Sequence, residues 1–180
     1  TAEVNARVGL ETVTSEQKIQ FRIHQGKAEM LTLALNGAGE ITEVTGAGLR
    51  DWSLRVAENG ARFLDIRPAL VEAKLPTDVL EVLVKSRLKV EREVVGLVLP
   101  GPGNATGFSL TASIAVDPGV DLRVTQADGL IPVEGALNRK FVATGLAAIG
   151  MRVSPAGTDA RGLEVMNSTL DGSSAVFSCK

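Results

Sequence analysis

An all-β fold of antiparallel β-sandwich architecture is what this sequence predicts, and three observations predict it. Apolar and polar residues alternate with a two-residue period, Gly, Pro and Asn cluster between the alternating runs, and the apolar residues are mainly Val, Leu, Ile and Ala. In "KIQFRI", Ile19, Phe21 and Ile23 fall on one side of an extended chain and Lys18, Gln20 and Arg22 on the other. Sheets with one apolar and one polar face bury the apolar faces against each other, so a sandwich follows from the alternation.

The same period recurs along the chain. "EMLTLAL" places Leu31, Leu33 and Leu35 together, and "WSLRV" does so for Trp52, Leu54 and Val56. "RFLDIRP" reads two ways, with either Phe63 and, less cleanly, Asp65 inward, or Leu64 and Ile66. Further runs are "DVLEVLVKSRLKVE", "VVGLVLP", "FSLTASIAV", "VDLRVT", "KFVATGLA", "IGMRVSP" and "GLEVMNSTL". The segments between them, "NGAG", "ENGA", "PGPGNATG", "DPGVD", "ADG", "PAGTDARG" and "LDGSS", are turns, because Gly and Asn tolerate positive φ and Pro presets φ. Helical signal is thin. Its best stretch, Pro68 to Ser86, is interrupted by Pro76 and rich in β-branched residues after Thr77, which leaves one short turn or helix at most. The alternating charges of "KSRLKVEREV", Lys85 to Val94, read as a solvated strand edge where Lys and Glu discourage edge-to-edge pairing.

The 180 residues suffice for one large domain or two small ones. Weak self-similarity favours two related β-units of about 85 residues, 1–92 and 93–180, sharing one body. "VGL" at Val8 recurs at Val95. "LTLALNGAGEITEVTGAGLRDW" aligns with "VDLRVTQADGLIPVEGALNRKF", and "FLDIRPA" answers "IGMRVSPAG". The competing explanation is chance alignment of two alternating sequences rich in Val, Leu and Gly.

Composition excludes several activities. A formal charge of −2 offers no footprint for a phosphate backbone, so nucleic acid is not an expected partner. Five Phe, one Trp and no Tyr leave few aromatics for a sugar-binding or base-stacking platform. No apolar run reaches the roughly 18 residues of a membrane span, and the start at Thr1 without a signal pattern suggests a mature or excised fragment. The glycine pairs "GAGEIT" and "GAGLRD" lack the third glycine of a dinucleotide loop and lead into strands, while "GPGNATGF" has Phe where a P-loop needs Lys. His24 is the only histidine, which removes paired-histidine metal centres and, with no G-x-S-x-G, the usual hydrolase triads; its register points to solvent. Cys179, the one cysteine, has no internal disulfide partner and no neighbour to activate it. No cofactor is expected.

Carboxylates remain, since acid–base pairs can come from anywhere in a fold. Asp51 beside Trp52, and Asp117, Asp121 and Asp128 around "DPGVDLRVTQADG", are the candidate ligand-binding residues. A loop of Asp side chains and carbonyls could hold Ca²⁺, but the D-x-D-x-D-G order is absent and Asp favours turns on its own account. Two N-x-S/T triplets, at Asn104 and Asn167, carry no weight at the frequency expected by chance.

From Leu31 to Leu88 the order "LTLALNGAGEITEVTG…WSLRV…RFLDIRPA…PTDVLEVLVKSRL" resembles the start of the N-terminal β-domain that precedes the catalytic domain in M1-type aminopeptidases. Neither H-E-x-x-H nor a substrate-amine motif is present, so the resemblance implies a noncatalytic β-module and transfers no peptidase role to any residue. It also implies a bacterial secreted or envelope setting: periplasmic, cell-surface or extracellular. The expected role is structural or protein-interacting, with other domains of the same polypeptide, or another protein, as partners. The alternative is a ligand-binding or hydrolytic β-domain with a carboxylate cleft. A carbohydrate-binding module would require a row of exposed aromatics.

Overall fold

In the computed structural model the described residues are 1–23, 28–69, 79–91, 94–134 and 139–157, and they fold entirely as strands and turns. The strands are β1 (Ala2–Val8), β2 (Thr12–Arg22), β3 (Leu31–Asn36), β4 (Glu40–Thr45), β5 (Leu49–Val56), β6 (Arg62–Pro68) and β7 (Val79–Lys89). They continue as β8 (Val94–Gly96), β9 (Leu99–Pro102), β10 (Leu110–Val116), β11 (Val120–Asp128), β12 (Ile131–Pro132), β13 (Arg139–Ala143) and β14 (Ala148–Pro155). One layer is a seven-stranded sheet ordered β12-β13-β10-β1-β2-β7-β4. The other is split into a four-stranded sheet, β5-β6-β3-β9, and a three-stranded sheet, β11-β14-β8. All pairings are antiparallel except β1 with β10, which run parallel from Ala2–Leu110 to Val8–Val116.

The alternation decides which face each strand buries. On the large sheet, cross-strand rows such as Ala112–Val4–Gln17–Val84 and Leu110–Ala2–Ile19–Val82 face inward. The opposite face carries Lys18, Glu43, Glu81 and Lys85, joined in the pairs Lys18–Glu81 (3.1 Å) and Lys85–Glu43 (2.8 Å). In β6, Leu64 and Ile66 point into the core with no exposed surface, which resolves the two readings of "RFLDIRP". From Val79 onward the stretch with weak helical signal is strand β7, while 70–78 lie outside the described residues, as do His24, Asn167 and Cys179.

From Lys85 to Arg87 the charged run is not an edge. Strand β7 is hydrogen-bonded to β2 on one side and to β4 on the other through Leu83–Arg87, so the edge is β4. The charges of β7 mark its solvent face. An edge and a half-solvated interior strand carry the same alternation, and only the pairing partner separates them.

Both halves of the chain share the sheets. β1 and β10 join them in the large sheet, and β9 of the second half pairs with β3 of the first. Of the segments whose sequences echo, β3 with β6 and β11 with β14 make equivalent antiparallel pairs. β5 pairs with β6, whereas its counterpart β13 pairs with β10 and β12.

Where β8 passes into β9, Leu97 and Val98 cross from the three-stranded to the four-stranded sheet, both 2% exposed and outside any ladder. Backbone groups buried there need partners. The Leu97 N–H donates to the Ile149 carbonyl (3.3 Å), and Nε2 of the fully buried Gln17 donates to the Val98 carbonyl (3.1 Å) and to Ser15 Oγ (3.2 Å). Ser15 and Ser86 hydroxyls meet at 2.7 Å, completing a polar stripe inside an otherwise apolar interface. Gly37 lies under the same crossing: its φ is +92°, and a Cβ there would stand 2.2 Å from the Leu97 carbonyl oxygen.

Gln17→Met keeps the volume but strands the Val98 carbonyl, and should lower unfolding free energy by about 1–3 kcal/mol. Gly37→Ala combines a disfavoured φ with the Leu97 overlap and should cost about as much, roughly 1–3 kcal/mol. Urea titration of each variant checks both, with a shift in midpoint at unchanged slope as the expected result.

Candidate functional site

The outer face of the four-stranded sheet holds a connected polar grouping. Registers place Asp51 opposite Arg67, Ser53 opposite Asp65 and Asp65 opposite Thr32, with Arg55, Phe63 and Ala34 in the next row. Alternation puts all of them on one face. Asp65 is only 4% exposed although its face is the outer one. Its Oδ1 accepts from Thr32 Oγ1 (2.7 Å) and its Oδ2 from Arg55 Nε (3.1 Å). The Arg55 guanidinium also lies over the Phe63 ring, 4.4 Å from its centroid. Arg67 Nη1 donates to Asp51 Oδ2 at 3.0 Å.

Burial pushes the Asp65 carboxyl up. Hydrogen bonds from Arg55 and Thr32 and the charges of Arg55 and Arg67 outweigh burial and hold it below its ordinary value. Asp51 and Asp65 stand on neighbouring strands one row apart, a diagonal of about 7–8 Å between Cα atoms. That spacing suits a hydrolytic carboxylate pair, but the chemistry does not, because a general acid needs a raised pKa and Asp65 is held ionised by arginines. The grouping is an ion-pair lattice across three strands.

A second feature is a cleft of about 960 Å³ at one end of the sandwich, between the end of β2, the approach to β3, the start of β7 and the loop at 104–108. Phe21, Met30, Leu31, Val79 and Phe108 supply apolar walls, and Arg22 and Glu29 are its charged side chains among the described residues. Asn104 fastens this loop to β3: its Oδ1 accepts from the Thr32 N–H (3.0 Å) and its Nδ2 donates to the Met30 carbonyl (3.2 Å). The amide of that N-x-T triplet therefore completes a sheet edge.

The sequence-derived candidates are spread over separate places. Asp51 is exposed on β5, and its Oδ1 accepts from the N–H of Trp52 (2.8 Å); Trp52 itself is half-buried against the core. Asp117 pairs with Arg7 Nε (2.5 Å) and opens the turn into β11, where Pro118 and Gly119 (φ +80°) occupy the central positions of a type II turn. Asp121 is exposed on β11 opposite Ser154. Asp128 ends the same strand, about 23 Å along it from Asp121 at the usual rise, and accepts from Gln126 Nε2 (2.5 Å). Among the described residues no three His, Cys, Asp or Glu side chains converge as a metal site. The described aromatics are half-buried or buried, so none forms an exposed platform. Asp65 was not singled out from the sequence. Its signal was there as the one charge in "FLDI", the strand whose alternation read least cleanly.

No protein-family model and no curated protein matches the chain. Solved structures similar to it include the following two. Native yeast LTA4 hydrolase is 16% identical at a TM-score of 0.48, over 84% of this chain and 28% of that one. An M1 zinc metallopeptidase from Deinococcus radiodurans is 8% identical at a TM-score of 0.39, over 84% of this chain and 41% of that one. The chain spans less than half the length of either structure. No helix among the described residues is long and apolar enough to cross a membrane.

Because Asp65 has its pKa depressed by folding, its contribution is fully present above its unfolded value near pH 4 and is lost as pH falls through the folded value. Asp65→Asn should therefore lower stability at pH 7 by about 1–3 kcal/mol, with the half-solvated Arg55 limiting the loss, and should flatten the acid limb of stability against pH. Thermal melts of both proteins from pH 2 to pH 7 check this.

Proposed function

We propose that the chain is a noncatalytic structural or protein-interaction β-module of a larger protein, docking against other parts of the same polypeptide. The observation that carries the reading is the end cleft. Its rim presents Met30 at 43% and Val79 at 51% exposure beside Phe21, Leu31 and Phe108, an apolar surface with few charges to hold a small polar substrate. The carboxylates support the same reading, since Asp51, Asp65 and Asp117 are engaged with arginines of this chain. A secreted or envelope-associated bacterial protein is the proposed setting, following the resemblance stated above. Asp51, Trp52, Asp117, Asp121 and Asp128 stay the proposed contacts if a ligand is bound.

The test uses the full-length parent protein. Met30→Lys and Val79→Lys should leave the module's own melting temperature within about 2 °C, since surface substitutions change stability little. They should weaken its protection by the rest of the polypeptide, read as faster hydrogen exchange at Phe21 and Leu31. Unchanged exchange at those positions would sink the docking role of the cleft.

A further inference from the structure

The far side of β5 has no neighbour among the described residues, and its pattern fits a second copy of itself. The turn from β5 into β6 shows which backbone groups point outward. Ala57 N–H donates to the Ala61 carbonyl and Gly60 N–H to the Ala57 carbonyl, a three-residue hairpin loop with Gly60 at φ +82°. Ala57 therefore bonds toward β6, and by alternation so do Arg55, Ser53 and Asp51. Trp52, Leu54 and Val56 turn their N–H and C=O groups to the free edge. The Trp52 N–H found on Asp51 Oδ1 agrees with that parity. Leu54 and Val56 are also 41% and 66% exposed, so the open backbone positions carry accessible apolar side chains.

We propose that β5 is a self-association edge that pairs antiparallel with β5 of a second copy about a two-fold axis at Ser53. The proposal deepens the interaction reading but uses a different surface from the cleft. The register follows from charge. Centring on Ser53 sets Asp51 opposite Arg55 twice, and Trp52 opposite Leu54 twice. Centring on Leu54 leaves Asp51 opposite Ala57, and centring on Arg55 sets two arginines against each other. Among the residues of β5 itself, only the Ser53 register matches opposite charges, and both side chains have room, with Arg55 about half and Asp51 more than half exposed. In the isolated chain Asp51 covers the Trp52 N–H. In the pair its carboxylate turns to Arg55 of the second copy and releases that N–H to the Leu54 carbonyl opposite.

The register predicts a crosslink. Ser53 would face its own copy as a non-hydrogen-bonded pair, with Cα atoms about 4.5 Å apart, within the span a disulfide bridges. In a Cys179→Ser background, Ser53→Cys should oxidise to covalent dimer much faster than Glu58→Cys, which lies in the hairpin turn five residues from the axis. Sedimentation should show a concentration-dependent dimer, weakened about tenfold by Asp51→Lys, which sets two like-charged pairs across the axis. If Asp51 served only to guard the edge by its charge and by covering the Trp52 N–H, Asp51→Ala would strengthen association instead of weakening it. A chain that stays monomeric to about 1 mM, or equal crosslinking of Ser53→Cys and Glu58→Cys, overturns the proposal. The cleft variants Met30→Lys and Val79→Lys should leave this dimer unchanged, so failure of either reading is separable from the other.

Discussion

The hydrogen bond from the Gln17 amide to the Val98 carbonyl is the contact on which this architecture turns. A two-layer sandwich can be made wholly of ladders, each satisfying its own backbone, but one layer here is divided. The chain passes from one part to the other through Leu97 and Val98, both buried and outside any ladder. Burying a peptide carbonyl unpaired would cancel much of what the surrounding aliphatic side chains contribute. Gln17 reaches across from the large sheet to prevent that, and Ser15 and Ser86 hold its amide in place. The core accepts three polar side chains so that the second layer can be divided.

Electrostatics are handled differently on the two outer faces. Across the large sheet, acidic and basic side chains form exposed pairs that water screens, which keep the face soluble and add little stability. Across the four-stranded sheet, Asp65 is withdrawn from water and its charge is met by Arg55 and Thr32. The first face tolerates exchange of individual charges. The second does not, because removal of one partner leaves another polar group buried.

The fold class was legible because a period of two survives in nearly every strand, and the turns carry the residues that positive φ demands, as at Gly37, Gly60 and Gly119. Pairing partners were not legible. Lys85 to Val94 read as an edge, since alternation reports which side is wet and is silent on how many neighbours a strand has. Asp65 escaped notice because a buried carboxylate on an outer face depends on Thr32 and Arg55, which are distant or unremarkable in sequence. Asp117 and Asp128 look clustered in the sequence and are held apart by the length of β11. Short sequence distance within a strand is long distance in space.

The parallel pairing of β1 with β10 has a kinetic consequence. These strands run side by side at the middle of the large sheet, though the contacts that flank them, such as Arg7 with Asp117, join residues 110 positions apart. Each strand has a local antiparallel partner, β2 for β1 and β13 for β10, but their mutual ladder cannot form until the chain beyond Leu110 is available, and loop closure over such a span precedes the contacts that reward it. The central sheet is thus completed late, by joining strands from the two halves of the chain. During synthesis the first half leaves the ribosome with one side of β1 unpaired, so its folding waits on the arrival of residues beyond Leu110.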